Sequence, residues 1–425
     1  MFIIFASVYS ALVYLLYPIV YDWGLFLALQ KQQHDFSHFL IAIFYCVLVV
    51  IFASVLRLGI FSLFNCFLIF TTFIPFFMLM PYFAPGYLYS ADALVFFFSS
   101  LMFTFIGLAT GFGKGVGLSL AFNKRSFLCF LFIINVFSLG GLIFNFYGLL
   151  SFRAFYNIYE QRELYRGAMN VFSYILHWQF MVFSPVSLIF SMQVRSVSLF
   201  CLAVFGFLVV FIITGFKASF VVLMVVLFGF LTKGVWARVA TLPSISLSLL
   251  LMFTASIALD YFLGIKAVSP YVVDRVLFAH GIQLLMIVEF FKDLPSAMWT
   301  NSFLRHFVDP IYDVDPFIYL GQAYFGREVR LNTNFVGDGF INLGLLGVFI
   351  STAFAAICLA ICELVTMKKS FVVCVLLFVP HFVALLNGPI QVSLVTNGLL
   401  ITVLILLIYP QASIYSNMHG VRGGR

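Results

Sequence analysis

Apolar residues run along this chain in blocks of about twenty, cut by short polar turns. A hydrocarbon layer about 30 Å thick takes roughly 20 apolar residues per crossing helix. The blocks therefore predict spanning helices at about 2–20, 38–56, 60–80, 92–111, 127–149, 171–190, 197–214, 218–232, 243–262, 339–362, 371–388 and 393–410. The seventh and eighth are separated only by Thr214 to Lys217, so they form a tight hairpin. The pattern predicts an all-α polytopic membrane protein of about 12 spans. Residues 1–262 hold nine spans and a short outer loop at 150–170; 263–338 is one large outer loop; 339–425 holds three spans and a tail. The start of the large loop, around Asp274 to Glu289, is helical in character but charged, and reads as an interfacial or partly re-entrant helix. A full span there is the alternative; each central charge in lipid costs about 2.5–3.5 kcal/mol.

Composition agrees. Of 425 residues, 64% are hydrophobic and 9% charged, where a soluble domain carries about 25% charged. The surplus of +7 reads as membrane topology and not as nucleic-acid binding. With the N-terminus inside, the inner turns hold Arg57, Lys114, Lys124, Arg125, Arg195, Lys233, Arg238, Lys368, Lys369, Arg422 and Arg425. Outer turns hold nearly all the acids, Glu363 being the exception. This predicts a multi-pass protein with both termini cytoplasmic. The apolar N-terminus has no basic leader and reads as an uncleaved first helix. The seven cysteines all lie in apolar runs and read as small buried hydrophobes, with no metal or disulfide implied.

Chemistry concentrates outside the spans. The glycine run from Gly111 to Gly117 lacks the Lys-Ser/Thr of a phosphate loop and reads as a turn. Asp313 and Asp315 have Asp-x-Asp spacing, but the surrounding prolines favour turn chemistry. Lys217 sits at the outer tip of the hairpin, either snorkelling to the interface or holding a lipid phosphate. Arg275, Arg305, Arg327 and Arg330 in the large loop, with Arg166 in the small one, are candidate anion ligands, because arginine forks onto phosphate and stays charged. His306, Asp338 and Glu289 are candidate bases. Asp338 also reads as the N-cap of the helix that follows. Gly344 and Gly347 permit close helix approach.

Three segments carry a likeness: Gly215-Phe-Lys-Ala-Ser219 opening a helix, Asp274-Arg275 heading the loop helix, and Asn332 to Phe349 leading out of the loop. With the topology, they make the chain resemble the Wzy-type polymerases of lipid-linked oligosaccharides. The Arg-x10-Gly pattern that some relatives show in the two large outer loops is absent from those loops here. The resemblance implies a GT-C-like membrane fold and a glycosyltransferase at the periplasmic face of a bacterial inner membrane. It would join O-antigen or capsule repeat units carried on undecaprenyl diphosphate, and it needs no cofactor. It also implies that outer-loop arginines matter, and that a chain-length regulator and a flippase are partners. Two other readings stay open: an O-antigen ligase, and a flippase or transporter.

Overall fold

The computed structural model describes residues 1–22, 36–83, 88, 90–112, 120, 122–235, 240–264 and 268–410. Lys31, Lys114, Arg238, Lys266, Arg422, Arg425 and most of the Gly111–Gly117 turn lie outside the described residues. Among those described, all regular structure is helical. The chain divides into two compact units. Unit 1 is Met1–Lys114, Ala240–Ile361 and Leu385–Ile390; unit 2 is Gly115–Val239, Cys362–Ala384 and Gln391–Arg425.

The helices are α1 (Phe2–Asp22), α2 (Phe36–Ser54), α3 (Ile60–Phe83), α4 (Ala91–Phe112), α5 (Lys124–Asn145), α6 (Arg153–Tyr156), α7 (Ile158–Gly167), α8 (Phe172–Val194), α9 (Val197–Thr214), α10 (Lys217–Leu231), α11 (Leu242–Leu263), α12 (Pro270–Phe291), α13 (Pro316–Phe325), α14 (Phe335–Thr366), α15 (Phe371–Asn387), α16 (Ile390–Leu394) and α17 (Leu399–Ile408). Nine among the described residues are long and apolar enough to cross a membrane: α2, α3, α4, α5, α8, α9, α11, α12 and α14. The protein is therefore membrane-embedded. Eight of the nine coincide with expected spans. Helices α1, α10, α15 and α17 are apolar but shorter.

The ninth, α12, covers the segment expected to be interfacial or partly re-entrant. Two-thirds of its apolar window is buried inside the protein. Gly281 lets it press on α3; a Cβ there would lie 2.6 Å from Pro75 and 2.7 Å from the Phe76 amide nitrogen. Asp274 and His280 are buried, and Glu289 pairs with Lys292 at 3.1 Å.

Helix ends follow local chemistry. Asn123, Ser196 and Thr241 cap α5, α9 and α11 with side-chain oxygens. Gly215 and Gly264 end α9 and α11 in the left-handed region, which glycine adopts without a Cβ penalty. Unit 2 also holds a π-turn in α8, Gln179–Phe183, wrapped in a polar knot. Gln179 donates to Asn135 Oδ1 and Ser184 Oγ, both at 2.9 Å, and accepts from Ser138 at 2.7 Å. Asn135 donates in turn to Ser187 at 2.7 Å. Buried cysteines behave as expected except Cys129 and Cys201, which are exposed on apolar helices.

Helix α14 is broken. Leu343 and Gly344 leave helical geometry, with Gly344 at φ +58°, so a short piece, 335–342, precedes the long one. The short piece doubles back so closely that a Cβ on Gly347 would lie 1.9 Å from the Gly339 carbonyl oxygen. The close approach expected at Gly347 is present, with Gly339 as its partner. The carbonyls freed by the break are used: Ile341 and Asn342 accept from Ala297 and Met298 at 2.9 and 3.0 Å.

Candidate functional site

In unit 1, a buried carboxylate fixes the start of α12. Asp260, on α11, accepts from the Val268 amide at 2.9 Å and the Ser269 amide at 2.8 Å. With that end held, the next turn presents Asp274 and Arg275 to a cavity of about 300 Å³. A second segment reaches the same cavity from the chain after α13. Asp315 caps α13, accepting from the Phe317 amide at 2.8 Å, and Pro316 supplies the first helical residue. Gly326, at φ +62°, turns the chain. Residues 327–331 then fold back on α13, with Leu331 N donating to Phe317 O at 3.2 Å. Gly321 allows this: a Cβ on it would stand 1.8 Å from the Val329 carbonyl oxygen. The fold-back delivers Arg327 and Arg330 to the cavity that Arg275 lines.

Three guanidiniums and one carboxylate thus line a single cavity, leaving it net positive. Gln283, Asn332 and Asn387 add neutral polar groups. The arginines are held unequally. Arg330 donates to Asp315 Oδ2 at 3.2 Å and lies 5.3 Å from the Phe317 ring centre. Arg275 lies 5.4 Å from the Tyr271 ring centre. Arg327 is exposed and forms no ion pair among the described residues. Such an array can take an anion with several oxygens, because each guanidinium presents a fixed fork of donors. The volume suits a small-molecule group.

Of the residues singled out in the sequence, Arg275, Arg327 and Arg330 come together. Arg305 is exposed in a short turn, Phe303–His306, and is not among the lining residues. The side chain of His306 lies outside the described residues. Lys217 and Arg166 belong to unit 2; Lys217 is exposed at the start of α10, and Arg166 pairs with Glu163. Glu289 is tied to Lys292 and is not in the lining.

Asp338 is not an N-cap. The helix starts earlier, and Asn334 caps it by accepting from Val336 and Gly337 at 3.1 and 3.2 Å. Asp338 lies one turn inside, 3% exposed, accepting from Asn342 at 3.2 Å and from the Trp299 indole at 3.4 Å. It reads here as a brace of the broken helix, next to Met298 and Trp299, which sit at φ +49° and +56°. From sequence, Asp274 stands beside Arg275 at the head of the loop helix and has no assigned role in the site. Among the described residues it is the one carboxylate in the lining. Its position directly before Arg275 was the available signal. Asn332 opens one of the three segments of the likeness, whereas Gln283 and Asn387 carried no signal.

No family model, no curated protein and no solved structure matches this chain. A functional reading therefore rests on the cavity and on the sequence resemblance.

Proposed function

We propose that the chain is a glycosyltransferase that polymerises oligosaccharide repeat units carried on undecaprenyl diphosphate. The observation that supports this most is the convergence of Arg275, Arg327 and Arg330 on one cavity in a membrane-embedded unit. A diphosphate joined to a lipid is the anion such a site suits, since the lipid reaches it from the bilayer. In this reading the acceptor hydroxyl attacks the anomeric carbon of the donor glycan. The bond from that carbon to the diphosphate oxygen breaks, and undecaprenyl diphosphate leaves with the electron pair. Asp274 takes the hydroxyl proton, in place of His306, Glu289 or Asp338. The guanidiniums stabilise the charge growing on the leaving group; removal of one such preorganised donor costs about two to three orders of magnitude in rate.

The same reading has about twelve spans, both termini in the cytoplasm and the cavity at the periplasmic face of an inner membrane. It is supported by basic turns at Arg57, Lys124, Arg125, Arg195, Lys233, Lys368 and Lys369, on one side of the alternating spans. Helix α12 then lines the site and does not serve as a thirteenth crossing. The test is complementation of a strain deleted for this gene. Wild type restores a ladder of surface polysaccharide, and Arg275→Ala, present at equal level in the membrane, leaves single-unit glycan. A deletion strain that loses even single-unit surface glycan overturns the polymerase and points to a ligase or flippase.

A further inference from the structure

The segment between α5 and α8 in unit 2 has two unlike faces. One is fastened to the tip of the α9–α10 hairpin. Gln161, fully buried on α7, donates to the Ile213 carbonyl at 2.9 Å and to the Leu149 carbonyl at 3.1 Å, so it closes the last turn of α9. Arg162 Nε donates to the Gly215 carbonyl at 3.2 Å. Phe155 packs edge-on against Phe211, and Tyr165 against Phe216. The other face is bare. Tyr147, Phe152, Tyr156 and Tyr159 are 78%, 77%, 79% and 76% exposed. Four rings left open to water would forgo burial worth about 1.5–3 kcal/mol for each such side chain.

Two further observations say what covers them. Exposed rings also precede the segment on α5, where Phe137 and Phe144 are 78% and 80% exposed on a helix apolar enough to span. The charge is also biased. Arg153 pairs with Glu160 and Arg166 with Glu163, while Arg162 and Lys217 have no acidic partner among the described residues. Arg162 stands 6.0 Å from the Tyr159 ring centre, so cation and ring sit together. Tyrosine rings with arginine and lysine beside them suit the headgroup layer, where one end is apolar and the other meets phosphate.

We propose that residues 146–171, with the hairpin tip at Gly215 to Lys217, form a plate lying flat on an anionic phospholipid surface. The bare rings enter the acyl boundary, and Arg162 and Lys217 face lipid phosphates. The plate holds the α9–α10 hairpin at a fixed depth. This rests on the membrane-embedded fold and is independent of glycosyl transfer.

The test is fluorescence quenching of Tyr159→Trp, read as the difference from wild type. The protein is reconstituted in brominated phosphatidylcholine mixed with phosphatidylglycerol. Tyr156→Trp serves as a second reporter in case the first does not fold. The expected result is strong quenching by the brominated chains and weak quenching by aqueous acrylamide. Strong acrylamide quenching with none from the lipid overturns the proposal, as does protection from both. In a second readout, phosphatidylglycerol raises the melting temperature of wild type over pure phosphatidylcholine, and Arg162→Gln with Lys217→Gln loses that increment. An equal increment in the double variant overturns the electrostatic half of the proposal.

Discussion

Each unit buries polar side chains beside a π-turn, and each uses them differently. In unit 2, Asn135, Ser138, Gln179, Ser184 and Ser187 are neutral and bond to one another within unbroken helices. In unit 1, Thr72 of the α3 π-turn accepts from Asn334 at 3.2 Å, and the helix that Asn334 caps breaks after two turns. Its freed carbonyls are taken up by a segment with two left-handed non-glycine residues. The buried carboxylates follow the same division among the described residues: Asp260, Asp274 and Asp338 are all in unit 1, while the buried cation Lys369 is in unit 2. A closed neutral knot fixes how helices pack. A broken helix with charged braces is a costlier arrangement, and such strain persists where surrounding structure over-determines it, often at functional sites. In the proposed reading, unit 1 is the working part and unit 2 the frame.

The contrast should appear first in folding. Gly347→Val must displace the Gly339 carbonyl, so it abolishes monodisperse protein on size exclusion in detergent. Gly140→Val on α5 meets nothing within 4 Å and leaves the yield unchanged. Equal yields would break the picture of a tight helix reversal in unit 1.

The next effect is on turnover. Arg275→Ala and Arg327→Ala each reduce polymerisation by about two to three orders of magnitude with the melting temperature preserved. Arg330→Ala costs both rate and stability, because Arg330 also braces Asp315. Arg166→Ala in unit 2, an exposed residue paired with Glu163, stays within tenfold of wild type. A rate measured per folded molecule checks all four.

Gln179→Ala reverses the assignment of effects. It leaves the groups around Asn135 short of partners and lowers stability by about 1–3 kcal/mol. Turnover per folded molecule is unchanged, and a thermal melt read beside the rate separates the two.

The smallest effect concerns Lys369, in the turn between α14 and α15. It is 6% exposed, its Nζ has no hydrogen-bond partner among the described residues, and burial pushes its pKa below the usual lysine value. The unfolded chain binds the proton more tightly, so this group opposes folding most below its folded pKa. Its contribution then improves as pH rises through that value toward the unfolded lysine pKa. Lys369→Met therefore stabilises at neutral pH, and the gain shrinks in alkaline buffer. A gain that grows with pH would contradict the burial.

Much of this was legible in the sequence because lipid imposes a simple rule on helix length. The αL glycines at 215, 264 and 326 and the caps at Ser196 and Thr241 sit where local chemistry puts them. The break at Gly344 was not legible. The apolar run from Phe340 reads as one helix, and only the tertiary contact of Gly339 with Gly347 shows the reversal. That misreading moved the cap to Asp338, one turn past Asn334. The helical character of α12 was legible, whereas the burial of Asp274 and the pairing of Glu289 with Lys292 were not. For the site, sequence could name arginines as anion ligands but could not sort them. Arg305 is as basic as Arg327, and only the fold-back over Gly321 brings one of the two to the cavity. Asn387 reaches it from α15, more than a hundred residues from Arg275 in sequence.

The most direct test is native mass spectrometry of the purified protein with undecaprenyl diphosphate. Wild type and an Arg275→Ala, Arg327→Ala double variant are compared at matched melting temperature. The account predicts a one-to-one complex with wild type that is lost, or weakened at least a hundredfold, in the double variant. Equal binding by both proteins would contradict it and place the diphosphate site elsewhere.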